Sequence, residues 1–404
     1  MILAAPDYLP ISFANLLSNF LYLFTSIKLS LIDTSGLSKD MEIKYKSLKL
    51  FGFSCRSLFH TFMEYFKKDD LVIVTTPLHH TSFRNIIQLF VKPENIHIIE
   101  MNENYNEIKK LPDVEKCDLV IVTHLFGLDL ELPKLEEFKE KHNCLCVEDR
   151  VQGGSIDKDF SNDVFDVAFY SCGMDKRPVA LGGAYINFRN TDLSNQILNF
   201  MKSKINSYKK ENVIDRFLFL IKKIPTYLFY NNRMFIYVFM KLLNLCNYSL
   251  TKFVQLYREK NPGFSHDGYL KMPSNALLMS IYNNKYNYKE IESLYSRKCI
   301  KFMSYNNDDV KKTYFPWYRD VCLLTPYNTV SIDENKINDF VSYLDKLNIC
   351  VVKNPTYKLF DHHYDNKEKD IKFNKSLVYI PSLGGMTDDE ILYLSKTLDK
   401  FIQH

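Results

Sequence analysis

The chain has no marked excess of charge of either sign: across 404 residues, 52 basic side chains stand against 48 acidic ones. That balance argues against the broadly basic surface of a nucleic-acid-binding protein, while leaving room for local patches. A paired cysteine pattern is also missing. The nine cysteines are odd in number and scattered, and Cys144 and Cys146 sit too close together, on a run that reads as a buried strand. They are read as free thiols of a reducing compartment. The longest apolar stretches in the basic, aromatic part of the chain, such as Phe235 to Met240, fall well short of the ~20 residues of a membrane-crossing helix. Met1 to Leu31 lack a basic start and include Pro6, Asp7 and Pro10, which argues against a secretory signal and for a cytoplasmic protein. No internal repeat or low-complexity tract is evident.

What is present is an alternation that starts near residue 48. An amphipathic Leu58 to Phe66 precedes the apolar Leu71 to Val74, a helical Ser82 to Phe90 precedes His97 to Ile99, and Leu119 to Val122 is followed by a helix Leu132 to His142 and by Leu145 to Val147. Short apolar runs separated by helix-length amphipathic segments predict an α/β fold, a mainly parallel sheet covered by helices, with ligands at the carboxyl ends of its strands. Past Tyr185 to Asn187 the pattern changes, and Asp192 to Lys271 reads as helical, basic and aromatic. Helices Ile281 to Tyr305 and Ile337 to Leu347, strands Ile349 to Val352 and Leu377 to Ile380, and a last helix Asp388 to Ile402 capped by Thr387 predict a smaller C-terminal α/β domain. The expected division is a large domain over 1–190, a helical insertion over 191–271 and a small domain over 272–404.

The chemistry concentrates in Glu148-Asp149-Arg150-Val151-Gln152-Gly153-Gly154 and Tyr170-Ser171-Cys172-Gly173-Met174-Asp175-Lys176, with Gly182-Gly183 beyond. A carboxylate at a strand end can face the protonated nitrogen of a pyridine ring, and a lysine in a partly desolvated loop can hold an aldehyde as a Schiff base. Asp149 and Lys176 are the candidates, with Glu148 a rival to the first and a solvated charged turn the plain reading of the second. Gln152 is placed to reach a phenolic ring oxygen. A phosphate needs amide donors and a hydroxyl. Ser54-Cys55-Arg56-Ser57 opens a helix, where free N–H groups and Arg56 make an anion site, and Ser171 adds a hydroxyl from the opposite side. A simple N-cap is the plain alternative for Ser54 or Ser57. In Pro77-Leu78-His79-His80-Thr81 either histidine is placed to stack on a ring, no Cys or carboxylate stands at metal-ligand spacing nearby, and His124 is read as structural.

This ordered set, with His124-x-Phe126-Gly127 before it and Pro381-Ser382 and Met386 to Glu390 after it, resembles the DegT/StrS-type sugar aminotransferases, which are fold-type I pyridoxal phosphate enzymes. The resemblance implies that Lys176 bonds the cofactor, Asp149 pairs with the ring nitrogen, Gln152 reaches the ring oxygen and Ser171 binds phosphate. It implies that Cys55, Arg56 and Ser57 stand at the phosphate-binding helix start and that His80 takes the place of the stacking aromatic. It further implies an amino acid donor, a keto-sugar acceptor that is nucleotide- or carrier-linked, a role in amino-sugar or surface-polysaccharide synthesis, and a homodimer. The family's usual Glu before Gly182-Gly183 is Leu181 here, and its partner-subunit segment survives only as Tyr269 with Lys271-Met272. A keto-sugar dehydratase, whose relatives replace the lysine by histidine, and a catalytically silent scaffold are the alternatives.

Between Arg216 and Phe253 there is no Asp or Glu, while six Lys and Arg residues lie among many Phe, Leu, Ile and Tyr. Such a segment suits either peripheral contact with an anionic membrane or packing against the body or a partner subunit.

Overall fold

The computed structural model describes residues 13–23, 31–33, 47–126, 128–152, 159–173, 176, 180–259, 266–284, 289–315, 328–353 and 356–403. Gly127, Gly153, Gly154, Met174 and Asp175 of the motifs lie outside them. The strands of the first half are β1 (Ile32–Asp33), β2 (Ser47–Gly52), β3 (Ile73–Thr75), β4 (His79–His80), β5 (Ile96–Ile98), β6 (Glu100–Met101), β7 (Ile108–Lys110), β8 (Leu119–Thr123), β9 (Leu145–Asp149), β10 (Val167–Ser171) and β11 (Ala184–Arg189). Eight of them form one sheet in the order β1-β2-β11-β10-β9-β8-β3-β5. The run β10-β9-β8-β3-β5 is parallel, whereas β11, β2 and β1 pair antiparallel. β8 and β9 are buried along their whole length. Burial on both faces is why the parallel strands read as continuous apolar runs rather than alternating ones.

Helices α1 (Phe13–Tyr22), α2 (Cys55–Tyr65), α3 (Thr81–Phe90), α4 (Leu135–His142) and α5 (Asp192–Ser207) belong to this half. α2 starts three residues before the predicted Leu58. Ser54, in an extended conformation, accepts the Ser57 N–H at 3.1 Å and so caps the helix at Cys55. Phe59 and Phe62 of α2 meet Phe169 of β10 edge-on at 5.3 and 5.5 Å between ring centres, which fixes α2 over the sheet.

The segment after β11 continues from α5 into α6 (Val213–Asn231), α7 (Arg233–Leu245), α8 (Leu250–Glu259), α9 (His266–Tyr269) and α10 (Asn275–Asn284). Of the predicted helix Ile281 to Tyr305, the described residues are the end of α10 and the helix Lys289–Tyr305, with 285–288 outside them.

In the last third, β12 (Asn328–Ser331), β13 (Val352–Lys353) and β15 (Leu377–Ile380) form an antiparallel sheet in the order β12-β15-β13, while β14 (Tyr357–Lys358) pairs with β4 of the first half. A second core including Phe302, Val330, Phe340, Ile380 and Leu394 gathers under the three-stranded sheet. The last helix spans Asp388–Ile402, as the sequence predicts, and Thr387 and Glu390 form a capping box at its start.

The chain between Lys176 and β11 contains three consecutive residues at positive φ: Leu181 (56°), Gly182 (117°) and Gly183 (80°). A Cβ on Gly183 would lie 2.4 Å from Ile281 Cδ1. Gly183→Ala therefore combines backbone strain with a clash and should lower the unfolding free energy by about 1–3 kcal/mol, read from the urea midpoint. An unchanged midpoint would contradict this turn.

Candidate active site

Strand register gathers the candidate residues at one edge of the sheet. Thr123 at the end of β8 and Phe169 of β10 both stand opposite Asp149, so Ser171 extends two residues past it. Ser171 in turn faces Ala184, and Ala184 faces Gly52, from which the chain turns into α2. The carboxyl ends of β8, β9 and β10 and the amino end of α2 thus share one edge, where α/β sheets place ligands.

Side-chain alternation along β9 turns its two carboxylates to opposite faces. Glu148 is fully buried, within 3.1 Å of His124 Nε2, and accepts from the Ser161 N–H at 3.0 Å and from the Ser161 hydroxyl. His124 Nδ1 accepts the Leu130 N–H at 3.0 Å, so Nε2 carries the proton and donates to Glu148. Both residues are structural. Asp149 is also buried but accepts the Val151 N–H at 3.0 Å. Burial pushes its carboxyl up to about 6, partly offset by the Val151 N–H and then by the nearby His124 and Lys176.

Lys176 is half-buried, and its backbone N–H donates to the Gly173 carbonyl at 3.1 Å. Cys55, the first residue of α2, is buried, and its thiol is pushed well up by burial and then by Asp149 and Cys172, while Lys176 and Arg56 pull it down. Cys55, Asp149, Cys172 and Lys176 therefore share one electrostatic neighbourhood. Arg56 is exposed at the helix start. Ser57 is buried, and among the described residues its hydroxyl has no hydrogen-bond partner. An orphaned buried hydroxyl costs roughly 1–3 kcal/mol, a deficit that an acceptor seated at the α2 terminus would remove.

The two histidines of β4 divide their roles. His79 is completely buried, each ring nitrogen lies 2.8 Å from a threonine hydroxyl (Thr75 and Thr123), and burial lowers its pKa to about 3. It is a neutral core residue. His80 is half-buried and caps α3, its Nδ1 accepting the Ser82 N–H at 3.2 Å. Tyr357 of β14 stands opposite His80, and its hydroxyl donates to Gln152 Oε1. That bond orients the Gln152 amide, leaving its NH2 end as a donor. Tyr357 is the residue that sequence reasoning missed. Nothing near it in the sequence marks it, since its position follows from a strand pairing between the two ends of the chain. Cys172 was inside a recognised motif but had not been singled out.

Arg216 of α6 is buried and donates from Nη1 to the Leu181 carbonyl at 3.1 Å, in the turn before β11. The Tyr269 hydroxyl lies 2.8 Å from His60 Nδ1 on α2, and the backbone of Met272 bonds to Lys209 and Glu211, so this segment is tied down within its own chain. Among the described residues no cluster of His, Cys, Asp or Glu is arranged to hold a metal.

An aminotransferase from Psychrobacter cryohalolentis superposes with a TM-score of 0.64 at 10% sequence identity, covering 99% of each chain. The fold is that of the DegT/StrS-type aminotransferases. Helicobacter pylori PseC, an aminotransferase involved in the biosynthesis of pseudoaminic acid, gives a TM-score of 0.62 at 11% identity, again over 99% of each chain. A DegT DnrJ EryC1 StrS aminotransferase from Brucella abortus gives 0.54 at 11% identity, over 88% of this chain and 86% of its own. No protein-family model and no curated protein sequence matches the chain.

At this edge stand the amino end of α2, Lys176 and the buried carboxylate of Asp149. The carboxylate gives a test that needs no ligand. With its pKa at about 6 when folded, against 3.8 as the reference value, Asp149 favours the fold while protonated, and that stability is lost as pH rises through 6. Asp149→Asn should therefore stabilise the ligand-free protein by up to about 3 kcal/mol above pH 7, with the gain vanishing below pH 4. Melting curves across that range would show it. A gain of equal size at all pH values would mean that Asp149 is not held in this way.

Proposed function

We propose that the chain is a pyridoxal phosphate-dependent aminotransferase of the DegT/StrS type. It would transfer an amino group from an amino acid, typically glutamate in the resembling family, to a keto sugar linked to a nucleotide or another carrier, in amino-sugar or surface-polysaccharide synthesis. The observation that carries this reading is the meeting of Asp149, Lys176 and the start of α2 at one sheet edge, in a fold shared with sugar aminotransferases. A protein of that fold from Streptococcus pneumoniae has been solved in its PMP form, with a TM-score of 0.65 at 9% identity.

The residues present fit the cofactor. The N–H groups at the start of α2, the orphaned Ser57 hydroxyl, Arg56 and the Ser171 hydroxyl would hold the phosphate, with Cys55 at the helix start beside them. Asp149, whose ionisation burial disfavours, would regain its charge against the protonated ring nitrogen. The Gln152 NH2 would donate to the ring oxygen, and His80 would cover a ring face. When bound, pyridoxal phosphate supplies the electron sink that makes the donor's Cα–H acidic. Lys176 would hold the cofactor through its amine and, once displaced by the donor, take up that proton and return it.

The amine at Lys176 favours transamination over the dehydratase chemistry of histidine-bearing relatives. Leu181, where the family commonly has Glu, is buried against Leu16, Leu220 and Ala276, so a carboxylate does not meet the sugar from this position. A homodimer in the cytoplasm completes the proposal, since the resembling family builds its site across two subunits.

Purified protein loaded with pyridoxal phosphate should absorb visibly and lose that band when the correct amino acid is added. No change with any amino acid would favour the scaffold alternative. Lys176→Ala should lower transamination by roughly a thousandfold or more while the protein still folds, and borohydride should no longer fix the cofactor to the chain. Persistent fixation would place the attachment on another lysine.

A further inference from the structure

The helices between β11 and the C-terminal third leave a large apolar surface uncovered. On α6, Ile214, Phe217, Leu218 and Ile221 are exposed at helical spacing i, i+3, i+4 and i+7, with Ile214 69% exposed. The opposite face of the same helix is occupied by the buried Arg216 and Leu220. On α7, Met234, Val238, Leu242 and Leu245 form a second exposed stripe, while Ile236 and Met240 point into the core. Met234 is 77% and Leu245 81% exposed. α6 runs into α7 through Asn232 alone, and α1 extends the α6 surface, with Phe20 edge-on to Phe217 at 6.1 Å and Leu17 and Leu21 exposed beside it. Contiguous apolar surface of this kind marks an interaction site rather than ordinary exposure.

The charges around it select the partner. Lys222 lies one turn beyond Leu218, Lys241 lies between Val238 and Leu245 on the α7 stripe, and both are exposed. Lys252 adds a third exposed cation on α8, and no carboxylate occurs between Arg216 and Phe253. The buried Arg216 is withdrawn from this surface, which corrects the count of six available cations that composition suggests. Asp215, the acid just before the segment, lies 3.7 Å from Lys271. In a two-fold contact between two copies this patch would face itself, bringing the exposed lysines of one copy towards those of the other. An anionic lipid surface complements both the apolar stripes and the lysines. Among the described residues no helix is long and apolar enough to cross a membrane.

We propose that α6 and α7 seat the protein on an anionic bilayer, their exposed apolar stripes entering the headgroup boundary and Lys222 and Lys241 lying at the lipid phosphates. This inference stands apart from the aminotransferase reading, because it needs no activity to be tested.

The test is flotation of the full-length protein with vesicles of phosphatidylcholine alone and of phosphatidylcholine with phosphatidylserine. The protein should float with the anionic vesicles, in a salt-sensitive way, and bind neutral ones at least about tenfold more weakly. Leu218→Glu with Leu242→Glu should abolish binding, and Lys222→Glu with Lys241→Glu should weaken it on the order of tenfold or more. All four positions are exposed, so the melting midpoint and the mass from sedimentation equilibrium should stay unchanged. Equal partitioning into both vesicle types, or none into either, overturns the proposal. So does a fall in sedimentation mass for the leucine variant, which would make a second copy the occupant of this face.

Discussion

The candidate site depends on one carboxylate kept out of water. Asp149 ends a fully buried strand in the middle of the sheet, and among the described residues its neighbours are the Cys55 thiol, His124, Lys176 and the Val151 N–H, whose pull does not offset its burial. A buried carboxyl in that state is costly to ionise, and it favours whatever ligand brings a positive charge to it. The adjacent Glu148, one residue earlier and on the other face, is already satisfied by His124 and Ser161. Two neighbouring acids thus have opposite fates because a strand turns successive side chains to opposite sides.

Around that carboxylate the chain is tied from two directions. β14 crosses from the C-terminal third to pair with β4, and its Tyr357 fixes the Gln152 amide, so the position of Gln152 depends on how the two ends of the chain meet. From the other side, Arg216 of α6 grips the Leu181 carbonyl in the left-handed turn that leads from the lysine loop into β11. A buried guanidinium bonded to a backbone carbonyl holds that turn more firmly than an exposed contact would. Of the helices that carry the apolar surface, α6 is therefore bonded directly to the turn before β11.

Much of this was legible in the sequence, for identifiable reasons. The parallel strands announced themselves as short apolar runs, and the last helix announced itself through Thr387 and Glu390, because burial on two faces and a capping box each leave a local signature. The order of Asp149, Gln152, Ser171 and Lys176 along the chain was readable because strand ends and the loops after them are close in sequence. Less legible were features set by distant partners. The burial of Arg216, the core role of His79 and the bond from Tyr357 to Gln152 arise from contacts between segments that no local pattern connects. Charge counting does not separate Arg216 from the exposed lysines for the same reason: composition carries no information about which face of α6 turns inward.

The ionisation of Asp149 in the ligand-free and pyridoxal phosphate-loaded protein tests the central claim most directly. Carbon-13 NMR of the aspartate carboxyls, with Asp149→Asn used to assign the resonance, would follow it. The account expects the ligand-free carboxyl to titrate near 6, and the loaded one to move below the ordinary aspartate range as the ring nitrogen supplies a cation. A carboxyl that titrates at the same pH in both states, or rises on loading, would show that no positive charge is brought to Asp149 and would contradict the assignment of the site.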